Sequence, residues 1–309
     1  MINKVLELDA AGFLPSPGET AEEFVNRAEA IRRCHRKFDE KLQECGSLVV
    51  FDSIEVSDKE KIDPELITSA GNLTWDLYRF RSRHVPGFFL SRSIGLLWGG
   101  CLIGDPDLLF SVFLIRNAFR TREKWLFYRR TELFAHELCH SMRLDLKEPT
   151  LEEYFAYQTS PSALRRYMGN CFIRDIDAIL FVLPALLLLA ATTLRDFFLP
   201  QLPLFPFWIL ALIYPAFLLL RNAVSRHIVK KAAGILAHCG VKEITPILFR
   251  CTRQELIQLG KLSGAEAFET FYNTLAEKEL RWAVIRERFI KSPPAPEVQA
   301  PADPGENTL

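Results

Sequence analysis

The chain has 309 residues, 49% hydrophobic and 25% charged, enough for one or two packed domains and incompatible with disorder throughout. Its 38 basic and 38 acidic side chains cancel, so no basic excess exists to neutralise a phosphate backbone, and nucleic acid is excluded as a general partner. Seven scattered cysteines contain no CxxC pair and read as reduced, structural thiols.

Residues 1–9 lack a basic region followed by an apolar run, so no cleaved secretory signal is expected and the first part of the chain is expected in the cytoplasm. Residues 21–45 space Phe24, Ala28, Ile31 and Phe38 for one helical face with charges elsewhere, which predicts an amphipathic helix. From Ser47 the texture changes to short apolar runs at 48–51, 87–90, 94–98, 108–115 and 125–128, read as strands of one small sheet. The uncharged stretch 93–104 is too short and too glycine-rich to cross a membrane.

The sharpest signal follows at once: His136-Glu137-Leu138-Cys139-His140, an HExxH motif. On a helix the two imidazoles lie one turn apart on one face and can bind one Zn2+, while Glu137 beside the first ligand can reach a water at the metal. A third protein ligand is needed, and residues 148–157 offer acidic candidates on the next predicted helix; Glu153 is the first choice and Glu152 the second. Thr150-x-x-Glu153 also fits a capping box, which competes for the same carboxylate. Arg129, Arg130, Glu132, Arg143 and Asp145 surround the motif, placing it outside a bilayer. For a transition-state donor, Tyr154, Tyr157, Arg143, His84 and His238 all stay open, whereas His35 and His227 lie in basic stretches and read as solvated or interfacial.

HELCH followed by EEYFAY resembles the glutamate zincins, the metallopeptidases that include the thermolysin, neprilysin and membrane aminopeptidase families. The resemblance covers roughly residues 100–160. It implies an α+β, zincin-like fold in which a small sheet precedes an active-site helix and a glutamate helix. It further implies that His136, His140 and Glu153 hold the zinc, with Ala156 letting the two helices approach, and that Glu137 is the general base and later proton donor. An extended peptide or protein substrate would pair with the sheet edge. Two departures stand out: only 12 residues separate His140 from Glu153, and Tyr157 replaces the Asp that in that group orients a zinc histidine.

Two uncharged runs come next, 17 residues at 178–194 and 24 at 197–220, interrupted only by Arg195 and Asp196. Neither has a polar face, and together they read as a transmembrane hairpin in the lipid bilayer, with Arg195, Asp196, Pro200, Gln201 and Pro203 in its turn. Arg165, Arg166 and Arg174 precede it, and Arg221, Arg226, Lys230 and Lys231 follow. By the positive-inside bias both soluble segments are then cytoplasmic.

Residues 225–291 are helix-rich by pattern, with Ile228, Ile235, Leu236, Ile247, Leu248, Leu256, Ile257, Phe268 and Phe271 as core candidates, and 292–309 reads as a disordered proline-rich tail. The organisation expected is thus a zincin-like domain over 1–176, a membrane hairpin over 177–221, a small helical region over 222–291 and the tail. The function expected is a membrane-anchored zinc peptidase; the alternative is an inactive zincin-like adaptor acting through its C-terminal helices.

Overall fold

A computed structural model describes residues 1–51, 54–90, 99–105 and 109–291; the expected strand at 94–98 and the proline-rich tail lie outside the described residues. Helix α1 (Ile2–Ala10) packs on α2 (Ala21–Cys45) through Val5, Leu8, Phe24 and Ala28. A capping box starts α2: the Thr20 hydroxyl accepts from the Glu23 amide at 3.3 Å, and the Glu23 carboxylate accepts from the Thr20 amide at 2.9 Å. Its buried face also takes in His35, only 4% exposed, which corrects the expectation of a solvated histidine. The Ser111 amide donates to His35 Nε2 at 3.3 Å, and the His84 ring lies 6.0 Å away.

Of the expected strands, 48–51, 87–90 and 108–115 form within two residues of their expected bounds, and among the described residues the strands make three sheets rather than one. Strands β1 (Ser47–Val50) and β2 (Ile54–Ser57) make an antiparallel hairpin. Helix α3 (Pro64–Tyr78) follows, begun by Asp63, whose side chain accepts from the Glu65 amide at 2.9 Å, and by Pro64 in its first turn. The main sheet has the order β3 (Gly87–Leu90), β5 (Phe110–Arg116), β4 (Gly100–Asp105), with β3 parallel and β4 antiparallel to β5. The run 125–128 is not a strand. Leu126 adopts a left-handed φ of 49°, which folds the run back on itself as β6 (Lys124–Trp125) and β7 (Tyr128–Arg129) around a two-residue turn.

Helices α4 (Arg130–Arg143), α5 (Pro149–Ala156) and α6 (Ala163–Met168) lead to the long α7 (Asp175–Phe197) and α8 (Phe205–His238). The chain closes with α9 (Ile244–Phe249), α10 (Arg253–Leu259), α11 (Ala265–Lys278) and α12 (Leu280–Ile285), which runs into a π turn. One core joins the two soluble segments: Phe134, Leu151 and Phe155 pack in the same cluster as Leu236, Phe249 and Trp282. Of the C-terminal core candidates, Leu236, Ile247, Leu248, Leu256 and Phe268 are buried. Buried ion pairs pin this arrangement. Arg250 donates to both carboxylate oxygens of Asp9 in α1, Arg288 reaches the same carboxylate, and Arg281 pairs with Glu255 at 2.8 Å.

Helices α7 and α8 are long and apolar enough to cross a membrane, and only 11% of each apolar window is buried. A soluble core helix would show the opposite. Arg195 and Asp196 sit in the last turn of α7 rather than in the connection, and Pro184 and Pro215 lie inside the helices. At the base of the hairpin the Asp177 carboxylate accepts from Tyr214 Oη at 2.7 Å and from Arg221 at 2.5 Å. Helix α8 does not stop there: Asn222, Ser225, Val229, Ala232 and Leu236 continue it into the soluble core without a break.

Candidate metal centre

In α4, His136 and His140 are four residues apart, so helical geometry puts both rings on one face; the ring centroids are 4.7 Å apart and the two Nε2 atoms 3.1 Å. Helix α5 crosses over them, bringing Glu153 Oε2 to 3.6 Å from His136 Nε2 and Glu153 Oε1 to 3.5 Å from His140 Nε2. All three ligand-type atoms lie within 4.8 Å of one another. Donors held at about 2.1 Å from a tetrahedral zinc stand about 3.4 Å apart, so these separations suit an ion at the common point. The charge balance suits it too. Glu137, Glu152 and Glu153 crowd two imidazoles, and two ring nitrogens facing each other at 3.1 Å require a proton or cation between them.

The capping alternative for Glu153 does not form. Helix α5 is capped by Glu148, whose carboxylate accepts from the Thr150 amide at 3.3 Å and from the Thr150 hydroxyl, with Pro149 in the first turn. Glu148 also accepts from the Arg253 amide at 3.1 Å, tying the start of α5 to α10. With the cap supplied two residues earlier, Glu153 is left to face the histidines.

Glu152, the second choice as ligand, sits on the far side of His140. Its Oε2 lies 3.5 Å from His140 Nδ1, and its Oε1 accepts from the buried Arg143 Nε at 3.1 Å. A carboxylate on the distal imidazole nitrogen fixes the tautomer that leaves Nε2 free to bind a metal. His136 makes the equivalent bond to the Ala156 backbone. Tyr157 packs its ring edge-on against His136 at 4.7 Å. Gly169 backs that ring so closely that a Cβ there would lie 2.1 Å from it.

Glu137 is 3% exposed and bonded to the Leu102 backbone. Burial raises its carboxyl to about 7; the His140 charge opposes this and Glu153 adds to it. Burial alone would lower His140, but the Glu152 hydrogen bond and the charges of Glu153, Glu137 and Glu152 hold it at about 9. His136 is pushed well below its ordinary value by burial and by its neighbour His140.

These groups line an open groove of about 700 Å³ whose other wall is Gly100, Cys101 and Leu102 of β4. Among the described residues β4 pairs with β5. Of the candidate donors, Tyr157 and Arg143 line the groove, while His84 is stacked on Phe13 at 3.9 Å and Tyr154 packs against Phe155 and Arg226. His238 is exposed at the end of α8. Sequence reasoning did not find the Glu152–Arg143 pair or the Leu102 amide, because each depends on chain crossings that no local pattern encodes. No protein-family model, curated protein or solved structure matches the chain.

Proposed function

We propose that the protein is a membrane-anchored zinc peptidase of the zincin type, with its soluble parts on the cytoplasmic side. The convergence of His136, His140 and Glu153 beside a buried Glu137 carries this reading. Zinc held by those three side chains would supply a Lewis acid that polarises the scissile carbonyl and acidifies an attacking water. Glu137, buried beside the first zinc ligand, is suited to take a proton from that water and return it to the leaving amine nitrogen. Glu152 and the Ala156 carbonyl keep the imidazoles oriented. An extended substrate lying along the groove would pass beside Gly100, Cys101 and Leu102 of β4, which line it opposite the histidines. Excess Arg and Lys at the base of the α7–α8 hairpin, against one Arg at its tip, supports the cytoplasmic orientation.

Elemental analysis of detergent-purified protein tests it. One zinc per chain is expected in the wild type and in Glu137→Gln, with loss in His140→Ala and in Glu153→Ala. Glu137→Gln should also lower peptide turnover by roughly 10²–10⁴-fold. A metal-free wild type, purified without chelator, would replace this reading with the inactive adaptor.

A further inference from the structure

The soluble part carries a second apolar surface that the spans do not account for. Leu164, Tyr167 and Met168 of α6 and Phe172 just after it are exposed, Leu164 by 70%, and they lead directly into α7. The turn between β6 and β7 exposes Leu126 by 55% and Phe127 by 66%. Two-residue hairpin turns favour Asn and Gly because they need positive φ, yet here Leu126 holds φ 49° and presents its side chain to the outside with Phe127. Packing does not explain these residues, since neither joins a buried cluster.

The two patches lie on neighbouring elements: the Arg165 guanidinium of α6 lies over the Tyr128 ring of the hairpin at 5.2 Å. The α6 patch is level with the base of the spans. Asn222 of α8 donates to the Tyr167 carbonyl at 2.7 Å, Arg226 donates to the Arg166 carbonyl at 2.9 Å and covers the Tyr167 ring at 4.8 Å, and Phe172 packs on Phe181 of α7 at 5.5 Å. Exposed cations flank the two patches: Arg122, Lys124 and Arg129 beside the turn, Arg174 before α7. Apolar and aromatic side chains bordered by Arg and Lys, continuous with a membrane-length hairpin, have the chemistry of the headgroup layer of an anionic bilayer.

We infer that α6 and the β6–β7 turn enter the interfacial layer of the membrane, a second attachment beside the spans that holds the HExxH groove at the bilayer surface. The inference rests on reading α7 and α8 as spans and not on the groove being catalytic. The connection to the groove is short: Tyr157, against His136, is backed by Gly169 immediately after α6.

The test uses the full chain in vesicles of equal parts phosphatidylcholine and phosphatidylglycerol with brominated acyl chains. An environment-sensitive fluorescent amino acid is placed at position 127, at 164, or at the control position Val49, which is 66% exposed on the β1–β2 hairpin. Quenching at 127 and 164 severalfold above that at Val49, together with a blue-shifted emission, is the expected result. Quenching no greater than at Val49, in protein that resists alkaline carbonate extraction, would overturn the interfacial attachment while leaving the spans standing. Release of the chain by carbonate would remove the spans themselves, and the attachment with them.

Discussion

Helices α4 and α7 depart from the ordinary inside–outside rule in opposite directions. Helix α4 buries Glu132, Glu137 and Arg143, whereas α7 exposes Ile179, Leu183, Leu186 and Leu189. Each departure has its own compensation. The buried charges of α4 have partners nearby: Arg165 for Glu132, the Leu102 backbone for Glu137, Glu152 and the Phe249 carbonyl for Arg143. The exposed leucines of α7 have none, because hydrocarbon is their natural solvent. A buried ion therefore points to a constellation around it, and an exposed apolar face to a medium other than water.

The comparison can be broken by removing a partner or by adding a charge. The largest effect is expected at Asp9, whose carboxylate serves Arg250, itself fully buried, as well as Arg288. Asp9→Ala should destabilise the fold by about 3–5 kcal/mol in detergent denaturation, because Arg250 then has no counter-ion; a loss below about 1 kcal/mol would mean that water already solvates the site. On α7, Leu186→Lys should cost about 2.5–3.5 kcal/mol of insertion free energy and lower resistance to carbonate extraction, while leaving the soluble core unchanged. An equal change in core stability would mean that α7 packs against protein.

The histidine pair sharpens the comparison without a mutation. Burial holds His35 at about 4 and His84 at about 3, against an ordinary value near 6.5. At these two positions the unfolded chain therefore takes up protons first, so their contribution to stability is complete above about pH 6.5 and falls as pH drops toward 4. Between about pH 7.5 and pH 5.5 each histidine should cost about 1.4 kcal/mol, and His84→Phe should remove roughly half of that dependence. The smallest effect on the stability of the fold is expected at Glu152. Glu152→Gln should weaken metal affinity by roughly 10–100-fold with the fold intact, where loss of a ligand abolishes binding; unchanged affinity would make the Glu152–Arg143 pair purely structural.

What could be read from the sequence follows the range of the interaction concerned. HExxH, the two apolar runs and the face of α2 are local periodicities, and each formed a helix, although α7 takes in Arg195 and Asp196 and α8 starts at Phe205 and runs past the expected end of the second span. His35 was also within reach: it continues the series Ala28, Ile31, Phe38 and Leu42, but its basic neighbours obscured the spacing. Helix α3 announces itself by Asp63-Pro64, a cap followed by a first-turn proline. The separate β6–β7 pair was not readable, since it turns on a left-handed Leu126 that no propensity favours. Nor was the choice between Glu152 and Glu153. Adjacent helical residues diverge by about 100°, and only the crossing of α5 over α4 decides which of them meets both histidines.

The unbroken α8 also fixes a height. A catalytic domain on a flexible linker sweeps a volume that grows with linker length and can meet bonds at many distances from its anchor. Here 34 residues, about 51 Å of continuous helix with Pro215 inside it, run from the apolar hairpin into the core that carries α5, with no loop between the two. On the proposed reading, with the hairpin in a bilayer and the groove cleaving peptides, reach would become a form of selectivity: a bond would lie within range only where its elevation above the lipid matched that of Glu137, whatever residues flank it.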